Sequence, residues 1–285
     1  MRFLCQLITI FTLASCTLNI SFENITKNHN ADVGIAFADD SFYQQNSSRA
    51  YPLMSVFKLH IATAIMDKVN RGELSLNQTI KISAQELDAD TWTPMLKKYP
   101  QTGFDIKLRE LLYYMLAESD NNACDLLIEK AGGIAVIQEY VHRIGLKNTT
   151  IRVTEAQMQK DKMSQYQNTT TLQDLILLLK KINHNELFAP ALHKELIEIM
   201  HQTNTGENKI KKYLPQTTYT AHKTGTSSRF QGGKKIADND IAIIKDGNKT
   251  YYLAVLITDS FETDDTNAEI IAQISQAAYK AYVNK

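Results

Sequence analysis

Cysteine is scarce in this chain: three in 285 residues, at positions 5, 16 and 124. Two of them fall within the first sixteen residues, so no structural disulfide is expected in the body of the protein. The seven histidines (29, 60, 142, 184, 193, 201 and 222) form no His-x-x-x-His pair and have no cysteine cluster to join. That spacing speaks against zinc, and neither a metal nor a cofactor is expected. Charge of one sign is lacking too, since 31 Lys and Arg balance 31 Asp and Glu. A balanced chain has neither the basic field that nucleic acid would need nor the one-sign run of a disordered tail. Internal repeats and low-complexity stretches are absent. With 5 Pro and 11 Gly against 44% hydrophobic residues, the composition is that of a helix-rich globular protein. Its length suffices for one large domain or two lobes.

Long apolar runs are missing as well. Residues 3–13 follow Met1-Arg2 and are too short to span a bilayer. A basic start, a short apolar core and the small residues Ala14-Ser15 describe an export signal over residues 1–16. Leu13-Ala14-Ser15-Cys16 resembles a bacterial lipobox, in which the cysteine becomes the lipidated first residue; ordinary cleavage is the alternative. Either way the protein is expected outside the cytoplasm, in a bacterial periplasm, with membrane attachment through Cys16 in the first case.

Residues 19–30 are polar, reading as a linker and a first helix. Residues 33–38 and 41–44 have strand composition around Asp39-Asp40, which predicts a hairpin. Pro52 interrupts the pattern just before Ser55-Val56-Phe57-Lys58. That stretch opens the apolar run 59–66 of a helix stopped at Arg71-Gly72. Helical spacing recurs over 108–116, 123–131, 134–144, 172–182 and 191–202. Residues 149–170 are polar, aperiodic and long for a connection, as functional or disordered loops are. Strand patterns return at 219–226, 240–244 and 251–257, with Asp246-Gly247-Asn248 as a hairpin turn, and 268–282 closes the chain as an amphipathic helix. Strands at both ends and helices between predict a two-lobed α/β plus all-α architecture. An antiparallel sheet flanked by helices would come from about 28–52 and 210–285, with a helical lobe inserted over about 53–209; together residues 17–285 form the body.

The chemistry starts at Ser55 and Lys58. Spacing i, i+3 puts a hydroxyl and an amine on one face of a helix's first turn, beside backbone N–H groups that stabilise developing negative charge. A serine attacks only when a neighbouring base takes its proton, and a lysine is one such base. Ser119-Asp120-Asn121 falls in the loop after the 108–116 helix, and Lys223-Thr224-Gly225 on a strand. Each triplet alone has a structural reading: helix caps for the first two, and an edge lysine with a bulge glycine for the third. Acyl transfer needs a nucleophile, a base, a donor to the leaving group and paired donors for the oxyanion, and together the three supply them.

S-x-x-K, S-D-N and K-T-G in this order resemble the signature of the class A β-lactamases and the related penicillin-binding proteins. The likeness extends over about residues 30–282. It implies that Ser55 attacks the β-lactam carbonyl to form an acyl-enzyme, with Lys58 in the proton network. Ser119 would relay a proton to the departing ring nitrogen, and Asn121 would hydrogen-bond the substrate's side-chain amide. Lys223 and Thr224 would bind the carboxylate region, Gly225 would let the strand approach closely, and the N–H groups of Ser55 and Thr226 would form the oxyanion hole. Glu155, in Thr154-Glu155-Ala156-Gln157-Met158-Gln159, matches the carboxylate that activates the deacylating water in the Ω-loop. The family commonly has Asn where this chain has Gln159. Thr91-Trp92-Thr93-Pro94 and Tyr166-Gln167-Asn168 further resemble subclass A2, many of whose members are extended-spectrum cephalosporinases. Trp92 would then be the aromatic wall of the cleft mouth, its other reading being a core tryptophan. Lys209 and Arg229 are both candidates for the base that assists the substrate carboxylate, each also readable as a surface charge. The implied protein is a monomer that hydrolyses small β-lactams. The rival readings are a D,D-peptidase acting on cell-wall peptides, which would lack the role of Glu155, and a lipid-anchored binding protein, which has no need of a nucleophile.

Overall fold

The computed structural model describes residues 22–230 and 232–283; the stretch read as an export signal, with Cys16, lies outside them. In chain order, helix α1 (Glu23–Thr26) leads into the hairpin β1 (Asp32–Ala38) and β2 (Phe42–Gln45), then the two-residue strand β3 (Tyr51–Pro52). Helix α2 (Phe57–Asn70) follows, then the strand pair β4 (Thr79–Ser83) and β5 (Gly103–Lys107). The middle carries α3 (Leu108–Ala117), α4 (Asn121–Ala131), α5 (Ile134–Arg143), α6 (Glu155–Lys160), the short β6 (Thr169–Thr170), α7 (Leu172–Asn183) and α8 (Pro190–His201). The strands β7 (Tyr219–Thr226), β8 (Lys235–Asp246) and β9 (Lys249–Ser260) and the helix α9 (Asp264–Val283) complete the chain.

The main sheet runs β2-β1-β9-β8-β7, antiparallel throughout, so β1 from the start of the chain pairs with β9 from its end. Successive side chains of a strand point to opposite faces. In β9, Tyr251, Leu253, Val255 and Ile257 pack with Ile270, Ile271, Ile274 and Ala278 of α9, while Tyr252, Ala254 and Leu256 join the core of the helical lobe. Both faces are covered, which is why β9 reads as a continuous apolar run rather than an alternation. Asp246 pairs with Lys249 across a two-residue turn, where Gly247 takes the positive φ of 59° that such a turn asks of its first central residue.

Helix α2 is the axis of the inserted lobe. Every residue from Phe57 to Met66 is buried, Lys58, His60 and Thr63 among them, and α3, α4, α5 and α8 pack around it. Such all-round burial suits a stretch that is mostly apolar; the polar residues Asp67, Lys68 and Asn70 fall beyond it, where the helix emerges. Phe57, Leu59, Ile61 and Ile65 are fully buried, each contributing about 1.5–3 kcal/mol.

Three elements depart from the sequence reading. β4 and β5 form a ribbon inside the helical lobe, where short polar-alternating stretches gave no strong strand pattern. Within residues 149–170, Thr154 caps α6 by a capping box with Gln157, so the stretch is partly helical and not an open loop. β8 begins at Lys235 rather than near residue 240. Its first half, Lys235-Ile236-Ala237-Asp238-Asn239, reads as polar yet is buried, because ion pairs and strand bonds satisfy its charges.

Candidate active site

Ser55 sits in a 3-10 turn (Met54–Val56) that feeds α2, and Met54 holds a left-handed φ of 45° to make it. From Tyr51 to Met66, Ser55 is the one residue that is not buried. The turn is tied from two sides. Asn239 of β8 donates its side-chain amide to the carbonyls of Pro52 (2.8 Å) and Leu53 (3.1 Å), and Leu53 N–H donates to the Asn168 carbonyl (2.8 Å). β7 crosses directly over it. A Cβ on Gly225 would lie 2.5 Å from Leu53 O, 3.0 Å from Val56 N and 3.1 Å from Ser55 N, so only glycine allows this approach.

Lys58, one turn into α2 and fully buried, points its ammonium at three acceptors. They are the Ser119 carbonyl (2.7 Å), Asn121 Oδ1 (2.6 Å) and Glu155 Oε1 (2.9 Å). Three donors meet three acceptors, so the buried charge is both paired and fully hydrogen-bonded. Ser55 Oγ donates to the same Glu155 oxygen at 3.4 Å.

Ser119 links α3 to α4 in the left-handed region, φ 58°, a conformation that costs a non-glycine residue on the order of 1–3 kcal/mol. Its carbonyl is held by Lys58, and its hydroxyl accepts from Lys223 Nζ (3.0 Å). Asp120 caps α4 through Ala123 N–H (2.8 Å) and also accepts from Met95 N–H (2.8 Å) and the Thr93 hydroxyl (3.0 Å). Burial raises its pKa, and those three donors pull against that rise. Asn121 opens α4 rather than closing the loop. Its Nδ2 reaches Thr91 Oγ1 (2.8 Å), and its backbone N–H meets the Trp92 carbonyl (2.9 Å).

Glu155 begins α6 and is 7% exposed. Asp125 of α4 accepts both its N–H (2.9 Å) and that of Ala156 (2.8 Å), fixing the first turn from below. Asn168 ties the loop's base, accepting from Arg152 and Val153 N–H and donating to the Val153 carbonyl (2.9 Å). Gln159 turns its amide to the Asp90 carbonyl (3.2 Å), so it braces the loop against the 88–91 segment.

On β7, Lys223 is fully buried and bonds Ser119 Oγ and the Thr224 carbonyl, both at 3.0 Å. Burial and then the Lys58 charge hold its pKa well below the usual lysine range, with Asp240 and Glu155 opposing. The Thr224 hydroxyl shares a 2.7 Å bond with Thr205, and Thr226 closes the strand with its side chain exposed. Trp92 is not a core tryptophan. It is 58% exposed at the rim, pinned by its indole N–H on the Glu118 carbonyl (3.0 Å).

The two candidate bases separate. Arg229 is turned away, spent on the carbonyls of Gly233 and Glu262 and on Asp264. Lys209 is a buried group, 6% exposed, bonded to Thr226 Oγ1 (3.0 Å) and Asp238 Oδ1 (2.5 Å). The surface-charge reading of Lys209 therefore fails, because an acidic partner on the neighbouring strand draws it inward. Asp125, Asn168, Asp238 and Asn239 were not singled out as site residues from sequence. Each is an ordinary polar residue whose role depends on a neighbour distant along the chain. No group of three His, Cys, Asp or Glu that could hold a metal occurs among the described residues.

A half-buried hydroxyl facing a carboxylate, a buried ammonium, a second serine and a glycine-apposed strand edge is an arrangement able to transfer an acyl group through serine. The model of the β-lactamase enzyme family matches residues 18–282, and the chain belongs to that family. A β-lactamase from Bacteroides uniformis is 39% identical, covering 96% of this chain and 98% of its own length. The extended-spectrum β-lactamase PER-1 of Pseudomonas aeruginosa is 37% identical over 94% of this chain and 88% of its own length. Among solved structures, a class A β-lactamase from Bacteroides cellulosilyticus DSM 14838 superposes with a TM-score of 0.90 at 36% identity, covering 93% of this chain and 96% of that one. The TLA-1 extended-spectrum β-lactamase gives 0.89 at 34%, covering 92% and 96%. The architecture is thus that of the class A enzymes.

Proposed function

We propose that the chain hydrolyses β-lactams through an acyl-enzyme on Ser55. Ser55 Oγ bonds to the ring carbonyl carbon while its proton passes to the Lys58–Glu155 pair. The carbonyl oxygen, now negative, is received by the N–H groups of Ser55 and Thr226. The ring C–N bond then breaks, and Ser119 hands a proton to the departing nitrogen, its hydroxyl being held by Lys223. A water next adds to the ester carbonyl with Glu155 taking its proton. The Ser55 ester bond breaks, the hydroxyl regains its proton, and one water has been consumed per ring. Lys223 and Thr224 receive the substrate's carboxylate, Asn121 its side-chain amide, and Trp92 walls the mouth.

A single observation supports this most: one oxygen of Glu155 lies 3.4 Å from Ser55 Oγ and 2.9 Å from Lys58 Nζ. A carboxylate so placed can serve both half-reactions, which weighs against the cell-wall D,D-peptidase reading. The likeness to extended-spectrum enzymes supports testing a cephalosporin first. Purified protein should therefore turn over a chromogenic cephalosporin many times per enzyme. A covalent adduct held for hours by the wild type, without turnover, would overturn the reading.

Residues 1–16 are proposed as an export signal and Cys16 as a lipidated start, giving a monomer in the periplasm or anchored at its membrane. No helix among the described residues is long and apolar enough to cross a membrane. An acylated terminus should fractionate with membranes. Recovery of wild type and Cys16→Ser alike in the soluble periplasmic fraction would leave ordinary cleavage instead.

A further inference from the structure

At the far end of β7 from the sheet's base, a carboxylate stands where the cleft is expected to receive an anion. Asp238, on β8, lies directly across from Thr226 and is 2% exposed. Its Oδ1 accepts from Lys209 Nζ (2.5 Å) and from the Thr226 hydroxyl (2.9 Å), and its Oδ2 faces Lys235 Nζ at 3.2 Å. Lys235 is shared with Asp264, 2.9 Å away.

The donor count decides what is left for a ligand. An ammonium has three N–H bonds. Those of Lys209 go to Asp238 Oδ1, to Thr226 Oγ1 (3.0 Å) and to the Asn239 carbonyl (3.4 Å). The Thr226 hydroxyl has one proton, and it is given to Asp238. Arg229 is bound to Asp264 and two carbonyls. Arg229 and Lys235 are both drawn to Asp264, whereas Lys223 keeps one N–H beyond its two bonds, to Ser119 Oγ and the Thr224 carbonyl.

We propose that Asp238 determines how strongly the cleft holds the carboxylate of its substrate, by neutralising Lys209 and engaging the Thr226 hydroxyl. It is a specificity-determining, positioning residue: it acts on the substrate through Lys209 and Thr226 and does not touch the reacting atoms. Its presence keeps the subsite near electrical balance, so anion binding rests mainly on Lys223. This rests on the β-lactamase reading above, in which the carboxylate lies along β7.

The test reads KM and kcat for a carboxylate-bearing chromogenic cephalosporin as ionic strength is raised. Asp238→Asn keeps the shape and an acceptor for Thr226 but removes the charge. One unit charge within several ångströms, screened as at a protein surface, is worth about tenfold. Asp238→Asn should lower KM by about that factor, and its KM should climb with salt more steeply than the wild type's. Lys209→Met leaves Asp238 with only the shared Lys235 to offset it, so KM should rise, and salt should relieve the rise. The double variant should return to within about threefold of wild type, because the two charges are removed together. A merely structural role would lower kcat and melting temperature without changing the salt dependence, and that result overturns the inference. So does a KM for Asp238→Asn that is unchanged or raised. If Asp238→Asn does not fold, Lys209→Met decides alone: an unchanged KM, or a rise that salt does not relieve, overturns the inference. A wild type that hydrolyses nothing overturns both readings, whereas a hydrolysing wild type with charge-blind variants overturns this one alone.

Discussion

Lys58 Nζ stands closer to Glu155 Oε1, at 2.9 Å, than Ser55 Oγ does, at 3.4 Å. The lysine and the serine thus share one carboxylate oxygen, while the other two ammonium protons are held by Ser119 and Asn121. For Lys58 to accept a proton from Ser55 it must first release one, and the short pair supplies the route. In the proposed mechanism, acylation and deacylation would be coupled through Glu155.

Glu155→Ala therefore tests both half-reactions. The deacylating water loses its general base, a contribution of ~10²–10⁴-fold. Mass spectrometry of the variant with a β-lactam should show a long-lived adduct on Ser55, little of which is seen in wild type, and Ser55→Ala should never be labelled. A variant that turns over as wild type does would mean that another group activates the water.

Gly225→Ala places a methyl group 2.5 Å from Leu53 O, against backbone that Asn239 and Asn168 hold in place. Either β7 or the serine turn must shift. We expect a stability loss of about 1–3 kcal/mol and a fall in kcat larger than that loss explains, read from denaturant curves and steady-state rates. Unchanged rates would show that the close approach is not needed for activity.

Asp125→Ala removes the acceptor of two N–H groups at the start of α6. The part-buried Glu155 N–H loses its partner at a cost of up to about 1–3 kcal/mol, whereas the exposed N–H of Ala156 can turn to water. Because these two hold Glu155 in place, single-turnover kinetics should show deacylation slowed more than acylation. Equal slowing of both steps would refute that placement.

His60 is fully buried in α2, and burial lowers its pKa from 6.5 to about 4. Between those values the unfolded chain takes a proton that the folded one refuses, so stability falls as pH drops through that window. The full span is worth about 3 kcal/mol. Asp120 and Asp125, whose pKa values burial raises, act in the opposite sense. The difference between wild type and His60→Leu in melting temperature against pH isolates the histidine. Parallel curves from pH 7 to 4 would disprove its part.

The residues that carry the resemblance were legible because their spacing is local: Ser55 with Lys58, Ser119 with Asn121, Lys223 with Gly225. So were the strands and helices whose faces are uniformly apolar, such as β9 and α2. What escaped depends on partners far along the chain. The first half of β8 carries no strand pattern because Lys235 and Asp238 are charged, and they are buried because they meet one another, Lys209 and Asp264. Asp125 sits on an ordinary helix, and nothing in its neighbours announces that α6 will land on it, 30 residues later in the chain.

The pairing of β1 with β9 joins Asp32 to Thr258. A strand made near the beginning of synthesis must wait, unpaired on that side, for one made near the end. Lys223 likewise reaches Ser119 only after β7 has emerged, and β8 must follow before Asn239 can clamp the serine turn. Contacts of such long range form late and slowly. The chain therefore has no assembled nucleophile while it is still being made, and a translation product that stops short of Lys249 has no partner for that edge of β1 and no finished cleft.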